Sequence, residues 1–157
     1  MPDKLALGVV DIPYGHAYGE AVDPNITTFE VAVKLEKRYK IMATFYQAHK
    51  VEINQDIADA YGVMVSNIFK GRPLGKMQAM GQATTRIPAM FHKFLDTKQM
   101  DGTMPGIPTL RSLEGISHRK KKRVHTKKRG GVAIPRPSFE DSLIYRNSMK
   151  AWIIEDE

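Results

Sequence analysis

The sequence predicts an α+β protein that is mainly α, with long amphipathic helices and a small antiparallel β element formed by the two chain ends. Apolar residues recur at intervals of three and four over two long stretches, which is the period of a helix. Short apolar or alternating runs lie near both ends, at Leu5 to Ile12 and at Ser148 to Ile154. Segments that contain most of the 12 glycines and 9 prolines separate these runs and predict long extended arms and loops.

The length and composition indicate one domain. A chain of 157 residues falls within the usual size of a single domain. We expect an N-terminal arm at 1–25, a helical body at 26–116, a basic extended loop at 117–137 and a C-terminal strand segment at 138–157 that packs on the body. The chain has no cysteine, so disulfides and thiolate metal sites are excluded. No apolar run approaches the roughly 20 residues of a membrane span, and a reducing cytosolic setting with no membrane partner is the expectation.

The first long helix begins at a capping box. Thr27 is a good N-cap with Glu30 three residues later, and Ile26 can pack on Val31 as a hydrophobic staple. A continuous helix over 28–69 would be about 63 Å long, which exceeds the width of a domain of this size. The sequence therefore predicts a break at Gly62 or in the polar run 52–56, with one helix ending near residue 60 and a short helix after it. The apolar positions are Val31, Leu35, Tyr39, Met42, Phe45, Tyr46, Ile53, Ile57, Ala60, Met64 and Ile68.

A second amphipathic helix is predicted from Lys76 to about Lys98. Pro88 lies inside it, and a proline there removes one hydrogen bond and clashes with the carbonyl four residues earlier. We therefore expect a kink near Thr84 to Ile87, or a new helix start with Thr85 as its cap.

Two short elements complete the predicted fold. Thr109 can cap a short helix that Gly115 ends. The strand from about Ser148 to Ile154 needs a partner, and the region from Leu5 to Val10 is the candidate.

The motifs of catalysis are not matched. Gly71 to Met77 resembles a phosphate-binding loop, but three residues separate its glycines instead of four, and Met77 replaces the hydroxyl that would bind magnesium. The five histidines are spread along the chain. Asp56 and Asp59 lie one helical turn apart without an evident partner, and we interpret them as part of a solvated face. The expectation is a protein that is not an enzyme and has no metal and no cofactor.

The positive charge of the protein is concentrated in one segment. Eight of the 24 Lys and Arg residues lie between His118 and Arg129, and the rest of the chain has 16 basic against 17 acidic side chains. So dense a run of like charges cannot fold alone and needs an anionic surface to order it. We predict that it binds phosphate or an acidic partner through Arg119, Lys120, Lys121, Lys122, Arg123, Lys127, Lys128 and Arg129.

Three interpretations of this segment stay open. It binds nucleic-acid phosphate without sequence specificity, since it has no aromatic residue that could stack on bases. It is a nuclear-import signal, a pattern that is frequent by chance. Or its charges pair with acidic residues of a neighbouring subunit.

Aromatic residues in both chain ends are candidates for contacts between subunits. Tyr14 and Tyr18 alternate with small residues, and we interpret this segment as an extended arm on a neighbouring surface rather than a ligand site. The predicted interface residues are Tyr14, Tyr18, Phe139, Tyr145 and Trp152.

The C-terminal stretch from Arg136 to Asp156 resembles the end of a family of tailed-bacteriophage neck and tail-completion proteins. Upstream pieces are also similar, including Gly106 to Thr109 and Gly115 to Arg119. The residues of the C-terminal stretch that carry the resemblance are Arg136, Pro137, Ser138, Phe139, Asp141, Tyr145, Ser148, Ala151 and Trp152.

The resemblance implies a structural virion protein, made in the bacterial host cytoplasm, that joins head and tail. Its implied partners are copies of itself in a six- or twelve-fold ring, the neighbouring neck, connector and tail proteins, and packaged DNA in the channel. The alternative function is non-specific nucleic-acid binding through residues 118–129.

Overall fold

The fold is α+β and mainly α, as predicted. The computed structural model describes residues 4–13, 26–114, 135, 137–139 and 144–154. The described elements are β1 (Lys4–Val9), α1 (Thr28–Tyr39), α2 (Ile41–Phe69), α3 (Lys76–Asp96), α4 (Leu110–Leu113), α5 (Ile144–Asn147) and β2 (Met149–Ile154). The basic segment 118–129 and the predicted arm residues Tyr14 and Tyr18 lie outside the described residues.

The two chain ends meet in a two-stranded antiparallel sheet, which confirms the predicted pairing. Lys4 is paired with Ile154 and Val9 with Met149. Residues that are directly opposite each other share a face of the sheet. One face therefore carries Leu5, Leu7 and Val9 with Met149, Ala151 and Ile153, and the three residues of β1 pack against the core.

The start of α1 is fastened to the end of β1. The Thr28 hydroxyl donates to the carbonyl of Val10 at 2.6 Å and accepts from the N–H of Ile12 at 2.9 Å. Thr27 caps the helix as predicted, since its hydroxyl accepts from the N–H of Glu30 at 3.3 Å. The bond to Glu30 satisfies one of the donors that a helix start leaves unpaired, and the two bonds of Thr28 attach the helix to the segment after β1.

The predicted break in the first long helix was wrong in position. The chain breaks at Lys40, which has the left-handed φ of 47° and ψ of 44°, and α2 then runs through Gly62 without interruption. The carboxylate of Glu36 accepts from the N–H groups of Met42 at 2.8 Å and Ala43 at 3.2 Å. A side chain of α1 thus caps α2, and this stabilises a break that no Gly or Pro marks.

The predicted helix restart at Thr85 was also wrong. The helix α3 is continuous from Lys76 to Asp96 with Pro88 inside it. The Thr85 hydroxyl donates to the carbonyl of Gly81 at 2.8 Å, so it bonds back into the helix instead of capping a new one. The kink stays a prediction. The cap at Thr109 is confirmed, since its hydroxyl accepts from the N–H of Ser112 at 3.2 Å.

An aromatic cluster forms the centre of the core, where α2, α3 and α5 meet. The rings of Phe45 and Phe91 are 5.2 Å apart at 87°, and those of Phe45 and Phe94 are 5.5 Å apart. Tyr145 packs edge-on against Phe91 at 6.1 Å. The four side chains are at most 2% exposed. This cluster leaves the outer face of the sheet and the far end of the α2–α3 hairpin available for other contacts.

Candidate interaction surface

Trp152 lies on the outer face of the sheet and is 43% exposed. It is directly opposite Ala6 in β1, and its indole extends over Gly8. A Cβ atom added to Gly8 would lie only 2.6 Å from Cη2 of the indole. Gly8 therefore provides the flat backbone surface on which Trp152 lies, a common role of glycine in a strand.

A groove runs between β2 and the first half of α3. It has a volume of about 560 Å³ and is lined by Met77, Thr84, Ala151, Trp152 and Ile153. Met77 is 78% exposed, and together with the exposed Trp152 it gives the groove an apolar surface. The groove joins an exposed aromatic residue to an exposed flexible one, and such side chains are common at adaptable protein interfaces.

The far end of the α2–α3 hairpin also exposes apolar side chains. Phe69 is 86% exposed, Ile68 61% and Val65 50%. All three belong to the last turns of α2, close along the chain to the connector that leads to α3. Exposed apolar residues that cluster in this way indicate an interaction site more than isolated ones do.

A polar cleft lies along the other half of the hairpin. Its volume is about 590 Å³, and its lining includes His49, Glu52, Arg86 and Lys93. One ring nitrogen of His49 is 2.5 Å from the Glu52 carboxylate, and the other is 3.0 Å from Oε1 of Gln99. These bonds hold the imidazole between α2 and the turn after α3, which is a structural role.

The interpretation of Asp56 as part of a solvated face was wrong. Its side chain is only 5% exposed, and Oδ1 lies 2.8 Å from Nη1 of Arg86. Its other oxygen, Oδ2, is buried and has no hydrogen-bond partner among the described residues. The partner is thirty positions away on α3, so the sequence spacing around Asp56 gave no sign of it. Asp59 is exposed and accepts from Gln55 at 2.7 Å.

Tyr145 lies in the core and is 2% exposed. Its hydroxyl has no hydrogen-bond partner among the described residues. Burial raises the pKa of this phenol, and the nearby Glu36 carboxylate raises it further. Because the Tyr145 side chain is buried, it is not accessible to another subunit in this conformation.

The turn before β2 is held to α3 by two polar contacts. Arg146 donates to both carboxylate oxygens of Asp96, at 2.7 and 2.5 Å. His92 Nε2 donates to the carbonyl of Arg146 at 2.8 Å. Burial lowers the pKa of His92, and the positive charge of Arg146 lowers it further. Together these contacts fix the point at which β2 begins.

The structure describes three of the five predicted interface residues. Phe139 is half-buried, with a positive φ of 71° and its ring 5.0 Å from that of Tyr39. Trp152 is exposed, and Tyr145 is buried in the core against Phe91. Sequence reasoning missed Met77 and Thr84 as neighbours of Trp152. It also missed Gly8, although an isolated glycine within a strand is a signal of close approach by another group.

Two classes of site are not found in the part of the chain that the structure describes. In these residues, no three His, Asp or Glu side chains lie close enough together to hold a metal ion. No described helix is both long enough and apolar enough to cross a membrane. The surfaces described above can bind partners through apolar contact and hydrogen bonds.

Comparison of the chain with protein-family models, with curated proteins and with solved structures found no match.

Proposed function

We propose that this protein is a structural subunit of a tailed-bacteriophage virion, a ring-forming neck or tail-completion protein that joins head and tail. It acts by binding and not by catalysis. The proposal is supported by the C-terminal stretch, Arg136 to Asp156, which resembles that family. The observation that carries it is the half-exposed Trp152, which lies on a sheet built from both chain ends.

The described residues of the resemblance differ in their burial. Tyr145 and Ser148 are buried, and the Ser148 hydroxyl donates to the carbonyl of Tyr145 at 2.9 Å. Ser138 is buried as well, and its hydroxyl oxygen is 3.4 Å from the N–H of Thr109. Among the described residues of the C-terminal stretch that carry the resemblance, Trp152 is the exposed one. A buried framework that holds one exposed aromatic side chain supports a binding role, because aromatic residues are frequent at the centres of interfaces.

The proposed partners are copies of this chain in a six- or twelve-fold ring, and the neck, connector and tail proteins on either side of it. Packaged DNA in the channel is a further proposed partner, through the basic segment. The proposed location is the neck of the virion, after synthesis in the host cytoplasm.

The test is genetic complementation followed by electron microscopy. Deletion of the gene from the phage that encodes it is expected to leave separate heads and tails, and the wild-type gene is expected to restore joined particles. A Trp152→Ala copy is expected to fail while its protein stays in solution. The matched control is Val51→Ala, which removes an apolar side chain that is 75% exposed on α2. Joined particles without the protein would refute the proposal.

A second candidate function is non-specific nucleic-acid binding through residues 118–129. The observation that favours it is the concentration of eight cationic side chains in twelve residues. If all eight engaged phosphates, the logarithm of the binding constant would fall with a slope of about −7 against the logarithm of salt concentration. Binding of the purified chain to duplex DNA at two salt concentrations measures this slope, and no binding at low salt would exclude the function.

A further inference from the structure

In the part of the chain that the structure describes, the sheet has two strands and an open edge on each side. The N–H of Val10 donates to the carbonyl of Ser148 at 2.8 Å, which continues the register of the sheet by one residue pair. In an antiparallel ladder, residues that bond to the facing strand alternate with residues whose backbone groups point away from it. The backbone groups of Met149, Ala151 and Ile153 therefore point outward from β2.

The same alternation applies to β1. There the residues whose N–H and C=O groups point outward are Leu5, Leu7 and Val9. No hydrogen bond from outside the sheet reaches these groups, or those of the three β2 residues, within the described part of the chain. An open strand edge is a ready template for another strand, and proteins usually cover or interrupt such edges.

The surroundings of the β2 edge can accept a strand. The groove of about 560 Å³ runs beside Ala151 and Ile153, and Met77 of α3 forms its apolar wall. Inward-facing side chains of an added strand would lie against Met77, which is otherwise 78% exposed.

We infer that the open edge of β2 binds the open edge of β1 of a second copy of this chain, in antiparallel orientation. Each added copy leaves its own β2 edge, or its own β1 edge, free for the next. Repeated head-to-tail contact of this kind generates a closed ring when the rotation between copies closes. This inference rests on the proposed ring assembly and names the contact that forms it.

The side chains of the two edges are complementary on both faces. On the inner face, the half-buried Leu5 and Leu7 of the second copy would meet the apolar wall of the groove. On the outer face, the small residues Ala6 and Gly8 of the second copy would lie beside Trp152. The indole lies over Gly8 of its own chain, and the small residues of the second copy would not displace it.

The charges are complementary as well. In the register that places Ala151 opposite Leu7 of the second copy, Lys150 is opposite a glycine and Ile154 is opposite Lys4. No like charges face each other, which would be destabilising in a strand pair. The sequence that follows Ile154 is acidic, Glu155 to Glu157, and antiparallel pairing brings the end of β2 beside Lys4 of the second copy.

The test blocks each edge separately in the full chain and measures mass by analytical ultracentrifugation over a range of concentrations. Ala151→Pro removes an outward N–H and leaves the β1–β2 ladder intact, since proline is tolerated at such edge positions. Ala151→Ser keeps the N–H and is the matched control. The wild-type chain and the serine variant are expected to form higher-mass species. The proline variant is expected to associate about two- to tenfold more weakly, since one lost hydrogen bond is worth about 0.5–1.5 kcal/mol.

A second experiment tests whether the strand that binds the β2 edge is β1 of the second copy. Leu5→Pro blocks the β1 edge in the same way, near the start of the strand. Ala151→Pro keeps an unchanged β1 edge, and Leu5→Pro keeps an unchanged β2 edge. A mixture of the two variants is therefore expected to form a one-to-one dimer and nothing larger. Circular dichroism and the emission of Trp152 show whether each variant is folded, and Ile153→Pro replaces Ala151→Pro if that variant is not.

Three results would overturn the inference. They are a wild-type chain that is monomeric at every concentration, an Ala151→Pro variant that assembles like the wild type, and a Leu5→Pro variant that still dimerises alone. The last result would indicate pairing of β2 with β2 about a two-fold axis. None of them decides the proposed function, which depends on whether heads and tails join in the complementation experiment.

Discussion

Three elements, α2, α3 and β2, contribute side chains both to the buried hydrophobic core and to the exposed apolar surface. The helix α2 supplies Phe45, which is fully buried, and Phe69, which is 86% exposed. The helix α3 supplies the buried Phe91 and the exposed Met77. In β2, Met149 is 1% exposed and Trp152 43%. Buried and exposed positions therefore carry similar large apolar residues. Whether such a residue is buried depends on its position in the helix or strand.

The largest expected difference is between two phenylalanines. Phe91→Ala should lower the free energy of unfolding by about 3–5 kcal/mol, because it leaves a cavity among Phe45, Phe94 and Tyr145. Phe69→Ala should change the free energy of unfolding by less than about 0.5 kcal/mol, because the exposed Phe69 side chain makes few buried contacts. Urea unfolding followed by circular dichroism measures both. Equal losses of unfolding free energy in the two variants would contradict the predicted difference between the buried and the exposed phenylalanine.

The boundary between the two regions is the Asp56–Arg86 pair, midway along the hairpin. Arg86→Met should cost about 1–3 kcal/mol of unfolding free energy, because it leaves a buried carboxylate without its cation. The double variant Asp56→Leu with Arg86→Met should recover most of this loss, since apolar replacements of a buried pair are often tolerated. Thermal unfolding of the single and double variants is the measurement. A double variant as unstable as the single one would mean that the charge is not the cause.

Gly8→Ala tests how Trp152 is held. The new methyl group would lie at 2.6 Å from the indole, so the ring must move, and this should cost roughly 1 kcal/mol, the low end of the range for overpacking. Trp152 is the only tryptophan in the chain, so its emission reports the movement directly. Ala6→Gly is the control, since it removes a methyl group from the residue opposite Trp152. Unchanged emission in Gly8→Ala would show that the ring does not depend on this glycine.

The smallest expected effect is a pH dependence at His92. Burial and the charge of Arg146 lower the pKa of His92 in the folded state below its ordinary value of 6.5. The unfolded chain therefore binds the proton more readily, so stability should decrease as the pH falls below about 6.5 and be fully present above it. His92→Gln can keep the hydrogen bond to the carbonyl of Arg146 and should lose this part of the pH dependence. Thermal unfolding at a series of pH values compares the two, and identical profiles would contradict the assignment.

Much of the fold followed from local sequence patterns. The strand pairing of the two chain ends, the cap at Thr27, the cap at Thr109 and the helix that begins at Lys76 were predicted correctly. The caps depend on residues that are neighbours in the sequence, and the helix and the two strands depend on periods that the sequence displays. The break at Lys40 was not predictable, because it depends on a left-handed lysine and on a Glu36 carboxylate that reaches across the break.

The candidate site was only partly predictable for the same reason. The sequence placed Trp152 on a terminal strand and among the interface candidates. It did not place Met77 and Thr84 beside Trp152, or Arg86 beside Asp56, because these contacts join residues far apart in the chain.

The sequence by itself determined the fold class, the pairing of the chain ends and the concentration of charge in one segment. These properties depend on local periodicity, capping residues and composition. Only the tertiary structure decided which apolar residues are buried and which are exposed. The burial of Phe91 and the exposure of Phe69 depend on which other elements pack against each end of the hairpin. That choice minimises exposed apolar area over the whole chain at once, so no single segment encodes it.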